Sequence, residues 1–382
     1  MLKTSAVGAV GTMFVGTAAA NRAPRRIVGT SSPGASEEAR NRADSVSRTL
    51  DFGSIGQAVA GRFSDKAVEQ LRKRDDVRYV EADITMYAIG GKPGDGVTTQ
   101  AQTLPWGVDR TDADVAHANG ETGSGADLAI IDTGIDSDHP DLAANLGTGR
   151  AFTKAKGNYA YDWDDDNDHG THCAGIAAGI DNAEGVVGVA PDATLHAVKV
   201  LDKRGSGSLS DVAAGIEWTA DQGYDVGSMS LGASSGAQTL KDACQYAVDN
   251  GVFLVGAAGN SGPCTDCVGY PAAYSTVMAV SSTNSSDGFS SFSSQGPEVE
   301  IAAPGTDIYS SVIGGYDTFS GTSMATPHVA GAGAQLMANG SSNSQARSTL
   351  QNSAEDIGLA ANESGSGLLD VAAALGLDSS DN

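Results

Sequence analysis

At 382 residues, with 50 glycines and only 5% aromatic residues, the chain is long enough for one large core and a smaller unit joined by tight turns. Its formal net charge of −24 is unevenly spread: residues 101–382 carry 9 Lys and Arg against 36 Asp and Glu, and residues 1–100 carry 14 against 11. So acidic a larger part excludes nucleic acid as a partner and suits a surface kept hydrated in concentrated salt, and no apolar run of about 18 residues offers a membrane span.

Residues 1–20 have one early lysine, a mildly apolar middle and a small-residue end, the outline of a secretory signal. A twin-arginine export route places its arginine pair ahead of the apolar run. Here Arg25 and Arg26 follow it, so translation is expected to start upstream of Met1. Residues 27–90 read as a small α+β unit, beginning with a strand near Ile27 and Val28 and a polar helix over 35–50. A second helix capped by Ser64 runs to Arg74, and a strand over 77–83 closes the unit. The Gly- and Pro-rich linker 91–100 is where a protease would cut.

Beyond residue 101, apolar strands at 127–131, 194–200, 225–230, 252–257, 277–281 and 300–303 alternate with helical patterns at 169–179, 210–222, 239–250 and 322–337. The alternation predicts an α/β fold: a mostly parallel sheet flanked by helices, with its site at the carboxyl ends of the strands. Asp132 closes the first strand in IIDTGID, His169 opens a helix in HGTHCAG, and Asn260 follows a strand in GAAGNSG. Ser323 opens an apolar helix in GTSMATPHVAG, where Pro327 is tolerable only if the helix has barely begun. A serine there can attack a carbonyl while its own N–H holds the resulting oxyanion. Alone, each residue has a plainer account as a turn former, a surface imidazole or a helix cap. Together, at element ends and in the order Asp, His, Asn, Ser, they have the makings of acyl transfer.

Cys264 and Cys267 share a Gly/Pro/Asp loop and read as a small disulfide or as half a zinc site; no second pair stands at metal spacing. Cys173 and Cys244 lie in apolar helical segments and read as buried thiols.

On these motifs the chain resembles the subtilisin-like serine proteases over about residues 27–375, in the form of a halolysin-like precursor from a salt-loving archaeon. The resemblance implies a three-layer fold with a mostly parallel central sheet, formed by a catalytic domain at 101–382. Before it would stand a ferredoxin-like propeptide at 27–90, which templates folding and then inhibits. Ser323 would be the nucleophile, His169 the general base and Asp132 its orienting partner, with Asn260 and the Ser323 N–H forming the oxyanion hole. Gly205, Ser206 and Gly207 would form one edge against an extended substrate, and Ser230, Leu231 and Gly232 the other. Gly269 would floor an uncharged pocket for large apolar side chains. Ser261, standing where some relatives place an acid, implies little preference for basic ones.

The resemblance also implies calcium, held by Gln102, Asp141 and Asn182 and by the carbonyls of Ile180, Glu184 and Val186. A second, weaker cation site would use Ala272, Tyr274, Val277, Glu298 and Glu300. Gln102 reaches the first site only from a nearby chain start, which favours propeptide cleavage between Gln100 and Ala101. The acidic run 162–168 reads as a solvated charge run in preference to a further calcium loop, and Cys173 as a packing residue under His169. The expected protein is a secreted, monomeric, self-processed zymogen acting broadly on proteins and peptides, with its own propeptide as inhibitor. The competing readings are a silent binding member, which the intact Asp132, His169, Asn260 and Ser323 oppose, and a processing protease of narrow specificity.

Overall fold

A computed structural model describes residues 23–90 and 101–379; the signal expected at 1–20 and the linker 91–100, with Gln100, lie outside the described residues. The N-terminal unit consists of β1 (Arg25–Thr30), α1 (Pro33–Arg42), β2 (Ser45–Asp51), β3 (Gln57–Arg62), α2 (Asp65–Leu71) and β4 (Val77–Ala82). Its antiparallel sheet runs β2-β3-β1-β4, the order of a ferredoxin-like βαββαβ unit. Side chains alternate across the strands, so each face of this sheet enters a different core. Val28 and Val59 pack with Phe63, Val68 and Leu71, while Ile27, Ala58 and Ala60 join the core of the larger unit.

The helix expected over 35–50 ends at Arg42, and the strand β2 replaces the rest of that stretch. Ala43 turns extended (φ −73, ψ 136), and Val46 and Thr49 are β-branched residues that favour the pairing of β2 with β3 over a continued helix. The cap at Ser64 is present, its hydroxyl accepting from the N–H of Ala67 at 3.2 Å.

The larger unit continues with β5 (Thr85–Ala88), α3 (Trp106–Arg110), α4 (Ala113–Ala118), β6 (Asp127–Asp132), β7 (Arg150–Ala151), α5 (His169–Ala178) and β8 (Thr194–Lys199). Then follow β9 (Ser206–Ser208), α6 (Leu209–Gln222), β10 (Val226–Met229), β11 (Leu231–Gly232), α7 (Gln238–Asp249), β12 (Phe253–Ala257) and β13 (Met278–Thr283). The chain closes through β14 (Val299–Pro304), β15 (Ile308–Val312), β16 (Gly315–Phe319), α8 (Thr322–Ala338), α9 (Asn343–Ser353), α10 (Ala361–Ser364) and α11 (Val371–Ala374). Seven parallel strands in the order β14-β13-β12-β10-β6-β8-β7 make the central sheet, and the six strands expected from the sequence are its first six. Leu128 and Ile130 face α5 and α8, whereas Ala129 and Ile131 face α6 and α7. Burial on both faces explains why these strands read as unbroken apolar runs.

The two units are clasped by charge. Arg48 pairs with Asp211 at 2.8 Å and Arg78 with Asp242 at 2.7 Å. Glu81 accepts from the N–H groups of Gln238 and Thr239 at the start of α7, at 2.8 and 2.9 Å. Asp83 accepts from the Ser210 N–H at the start of α6, at 3.0 Å. Helix N-termini hold unpaired donors and partial positive charge, so both carboxylates meet complementary groups.

Candidate active site

Ser323 is the second residue of α8 and fully buried, with Gly321 as N-cap; Pro327 lies inside the helix past its first turn, further along than the expected barely begun helix. A proline four residues on cannot donate to the Ser323 carbonyl. Two side chains from other elements supply that bond: Ser230 donates its hydroxyl at 2.9 Å and Cys173 its thiol at 3.5 Å. Burial pushes the Cys173 thiol well up, which keeps it protonated as a donor. Cys173 therefore braces the serine backbone as well as filling space under His169.

His169 opens α5 and presents Nδ1 to Asp132, at the end of β6, at 2.8 Å. A carboxylate partner makes Nδ1 the donor, leaving Nε2 with its lone pair and no hydrogen-bond partner among the described residues. Burial opposes the imidazolium, but the charge and hydrogen bond of Asp132, the charge of Asp165 and the Ile89 carbonyl hold His169 above its ordinary value.

The run 162–168 is not a solvated face. Asp164 and Asp165 are buried, and Asp165 accepts from both the N–H and the hydroxyl of Thr171 in α5, at 3.0 and 2.7 Å. Asp166 pairs with the buried Lys199 at 2.6 Å. The loop packs because specific donors meet its carboxylates, and it seats the first turn of α5.

Asn260 lies just past β12. Its Oδ1 accepts from both the N–H and the hydroxyl of Thr322, each at 3.0 Å, which turns Nδ2 towards the cleft. A Cβ on Gly90 would stand 2.9 Å from that Nδ2, so the amide faces the peptide after Ile89. Thr322 is the positioning residue that sequence reasoning missed, although its place beside Ser323 was visible.

The cleft is filled by the chain itself. β5 lies between β9 and β11 as the middle strand of a three-stranded antiparallel sheet. Tyr87 pairs with Ser206 and Gly232, Met86 with Gly207, and Ala88 with Leu231. The Ala88 N–H donates to Gly205 at 2.9 Å and the Ile89 N–H to Ser230 at 3.1 Å. All six edge residues named from the sequence thus line one strand-shaped channel. At its end the Ser323 hydroxyl donates to the carbonyls of Ile89 and, at 3.0 Å, of Ser230.

Beside Ile89 lies a cavity of about 660 Å3 with Gly269 in its wall. The expectation that it is uncharged fails, because Asp266 and Glu298 also line it. Cys267, in the same wall, is joined to Cys264 in a disulfide.

The six residues expected to hold calcium come together. Asp141 is buried, and its carboxylate accepts from Asn182 Nδ2 at 3.2 Å and the Val186 N–H at 2.9 Å, with no ion pair among the described residues. The Gln102 amide meets the Ile180 carbonyl at 3.0 Å, and Ala101 bridges to Glu184. Asp141 offers a buried carboxylate with no side-chain cation beside it among the described residues, and Ile180 a carbonyl nearby. Asn182 and Gln102 turn amide nitrogens to these oxygens, so the donor set fits a hard cation once both amides turn their oxygens inward. The second expected cation site is filled differently. The Arg347 guanidinium donates to Glu300, at 2.7 Å from Nε, and to the carbonyls of Ser275 and Val277 at 2.8 and 3.4 Å. A side-chain cation from α9 thus takes two of the five named donors, and a third, Glu298, lines the cavity beside Ile89 instead.

Residues 123–369 match the model of the subtilase family. The chain is 42% identical over 322 residues to subtilisin E of Bacillus subtilis, covering 83% of this chain and 80% of that protein. It is 44% identical over 315 residues to M-protease of Shouchella clausii, covering 82% and 77%. To the thermostable alkaline protease of Halalkalibacterium halodurans it is 41% identical over 324 residues, covering 83% and 84%.

Proposed function

The chain belongs to the subtilase family and is a serine-type endopeptidase, and from that premise we propose that it is a self-processing zymogen whose first substrate is its own Ile89–Gly90 bond. The observation that carries this reading is β5 in the channel, with the Ile89 carbonyl against the Ser323 hydroxyl and Gly90 against Asn260. It replaces the cut expected between Gln100 and Ala101. Removal of 90–100 then becomes a second, later cut that brings the chain start close to Gln102.

In the reaction, Ser323 turns from the Ser230 carbonyl to His169 Nε2, gives up its proton and attacks the carbonyl carbon. Asp132 holds the ring by Nδ1–H and favours the imidazolium that forms. The developing oxyanion lies between Asn260 Nδ2 and the Ser323 N–H at the head of α8. His169 returns the proton to the leaving amine, the acyl-enzyme forms, and water hydrolyses it by the same steps in reverse.

The N-terminal unit acts as inhibitor by filling the channel as a substrate does, clasped by Arg48, Arg78, Glu81 and Asp83. Calcium at Asp141, Gln102, Asn182 and the carbonyls of Ile180, Glu184 and Val186 supplies a rigid, structural cation there. The excess of acid in residues 101–382 supports a secreted enzyme adapted to high salt, acting on proteins and peptides. A sulfonyl fluoride tests the nucleophile. It should add one sulfonyl group to Ser323 and stop peptide hydrolysis; labelling elsewhere, or activity that survives Ser323→Ala, would refute the assignment.

A further inference from the structure

The cavity beside Ile89 stays open with that side chain seated, so it accepts something longer than isoleucine. Its walls include Gly232, Ala233, Val268 and Ala273, which suit an aliphatic stem. Two carboxylates share the lining, and they lie close together. The point where a Cβ on Gly296 would stand is 2.8 Å from Glu298 Oε2 and 3.5 Å from Asp266 Oδ1. Asp266 is exposed and Glu298 half-buried, and Glu298 Oε2 is buried with no hydrogen-bond partner among the described residues. No lysine or arginine occurs in the sequence between Lys241 and Arg347, so this region brings no positive charge of its own.

We propose that Asp266 and Glu298 are specificity-determining residues that admit an arginine or lysine side chain immediately before the cleaved bond. This rests on the endopeptidase reading above and narrows its substrate class. A basic side chain lays its methylenes along the apolar walls and carries its charge to the carboxylates. Two neighbouring carboxylates repel one another, and a bound cation relieves that repulsion, an arginine best because its planar fork donates to two acceptors at once. The expectation of little basic preference, drawn from Ser261, looked at one neighbour of Asn260. The acids reach the pocket from Asp266, in the disulfide loop, and Glu298, just ahead of β14. Exposure at Asp266 leaves part of the attraction open to screening by salt, and the half-buried Glu298 keeps more of it.

The test uses the processed enzyme and anilide peptides that differ only in the residue before the anilide: Phe, Arg, Lys or Glu. Ratios of kcat/KM measured on one sample cancel any difference in active fraction between variants. The Arg substrate is expected within about tenfold of Phe at low salt and Glu far below both, with the Arg-to-Phe ratio falling as salt rises. In Asp266→Asn/Glu298→Gln that ratio should fall by at least about tenfold, with the exposed Asp266→Asn alone giving part of the loss. Arg cleaved more than about a hundredfold less well than Phe by the unaltered enzyme, or a ratio unmoved by the double variant, overturns the proposal. Hydrolysis of none of the four would instead refute the endopeptidase reading, and this inference with it.

Discussion

Ser323 donates its hydroxyl to the carbonyl oxygen of Ile89, 234 residues earlier in the chain. The proposed nucleophile and the bond proposed to be cut therefore face each other within one molecule, while Ala101 is bridged to Glu184 in the loop proposed to hold calcium. Gly90 and Ala101, which flank residues 91–100 in sequence, are both seated. The proposed cut and the proposed calcium site therefore draw on different stretches of chain.

Thr322→Val keeps the volume of the side chain but removes the hydroxyl that Asn260 and the Gly259 N–H share. The Asn260 amide then keeps one anchor, the Thr322 N–H. Steady-state kinetics should show kcat lowered about tenfold with KM nearly constant, the signature of an interaction made in the transition state. Loss of the amide itself, in Asn260→Ala, should cost about 10²–10³-fold in kcat, a scale established within this family. A change in KM alone would contradict the role given to Thr322.

Calcium should stabilise the uncut Ser323→Ala chain as well as the processed enzyme, because Gln102 already meets Ile180 with Gly90 in the cleft. Calcium at a hundred times its Kd should add about 2.7 kcal/mol, seen as a rise in Tm that a chelator reverses. Asp141→Asn should flatten that titration. A calcium response in the processed enzyme alone would show that the site assembles only after the cut.

Arg347→Gln leaves Glu300 without its guanidinium, and Gln351, donating to the same carboxylate at 2.9 Å, does not replace the charge. The side chains of Arg347 and Glu300 are 25% and 18% exposed, so the loss should be about 2 kcal/mol, below that of a fully buried pair. In the variant, added monovalent or divalent cations should restore part of the lost Tm through the vacated oxygens. Equal cation responses in the two proteins would contradict the view that Arg347 stands in for the second ion.

Glu217 in α6 accepts from the Asp51 N–H at 2.7 Å across the boundary between the units. Burial, with the charges of Asp221 and Asp51, outweighs that hydrogen bond and the charge of Arg150, and pushes its carboxyl up to about 7. A carboxyl raised in the complex favours the complex while protonated, and that support is lost as pH rises from the ordinary value near 4.5 through about 7. The cut N-terminal unit should therefore bind the enzyme more weakly at pH 8 than at pH 5. Glu217→Gln should remove part of the difference in a binding titration. Tighter binding at pH 8 would contradict the sign.

The central sheet was legible because its strands are buried on both faces and carry unbroken apolar runs. Ser323 was legible because it opens an apolar helix in GTSMATPHVAG. What escaped depends on partners distant in sequence. The burial of Asp164 and Asp165 needs Thr171 and backbone donors that converge only in the folded loop. Arg347 reaches Glu300 from another element, and the acids of the specificity pocket arrive from two separate loops. The strand β2 was hidden for a local reason: only Leu50 among its residues is buried, so no apolar alternation marks it despite its β-branched Val46 and Thr49.

The most direct measurement is the intact mass of the freshly folded chain beside its Ser323→Ala variant, with the new chain ends identified. The account predicts a first fragment ending at Ile89 and a partner beginning at Gly90 in the unaltered protein, with the variant uncut. A first cut between Gln100 and Ala101, or the same cut in the Ser323→Ala chain, would contradict it.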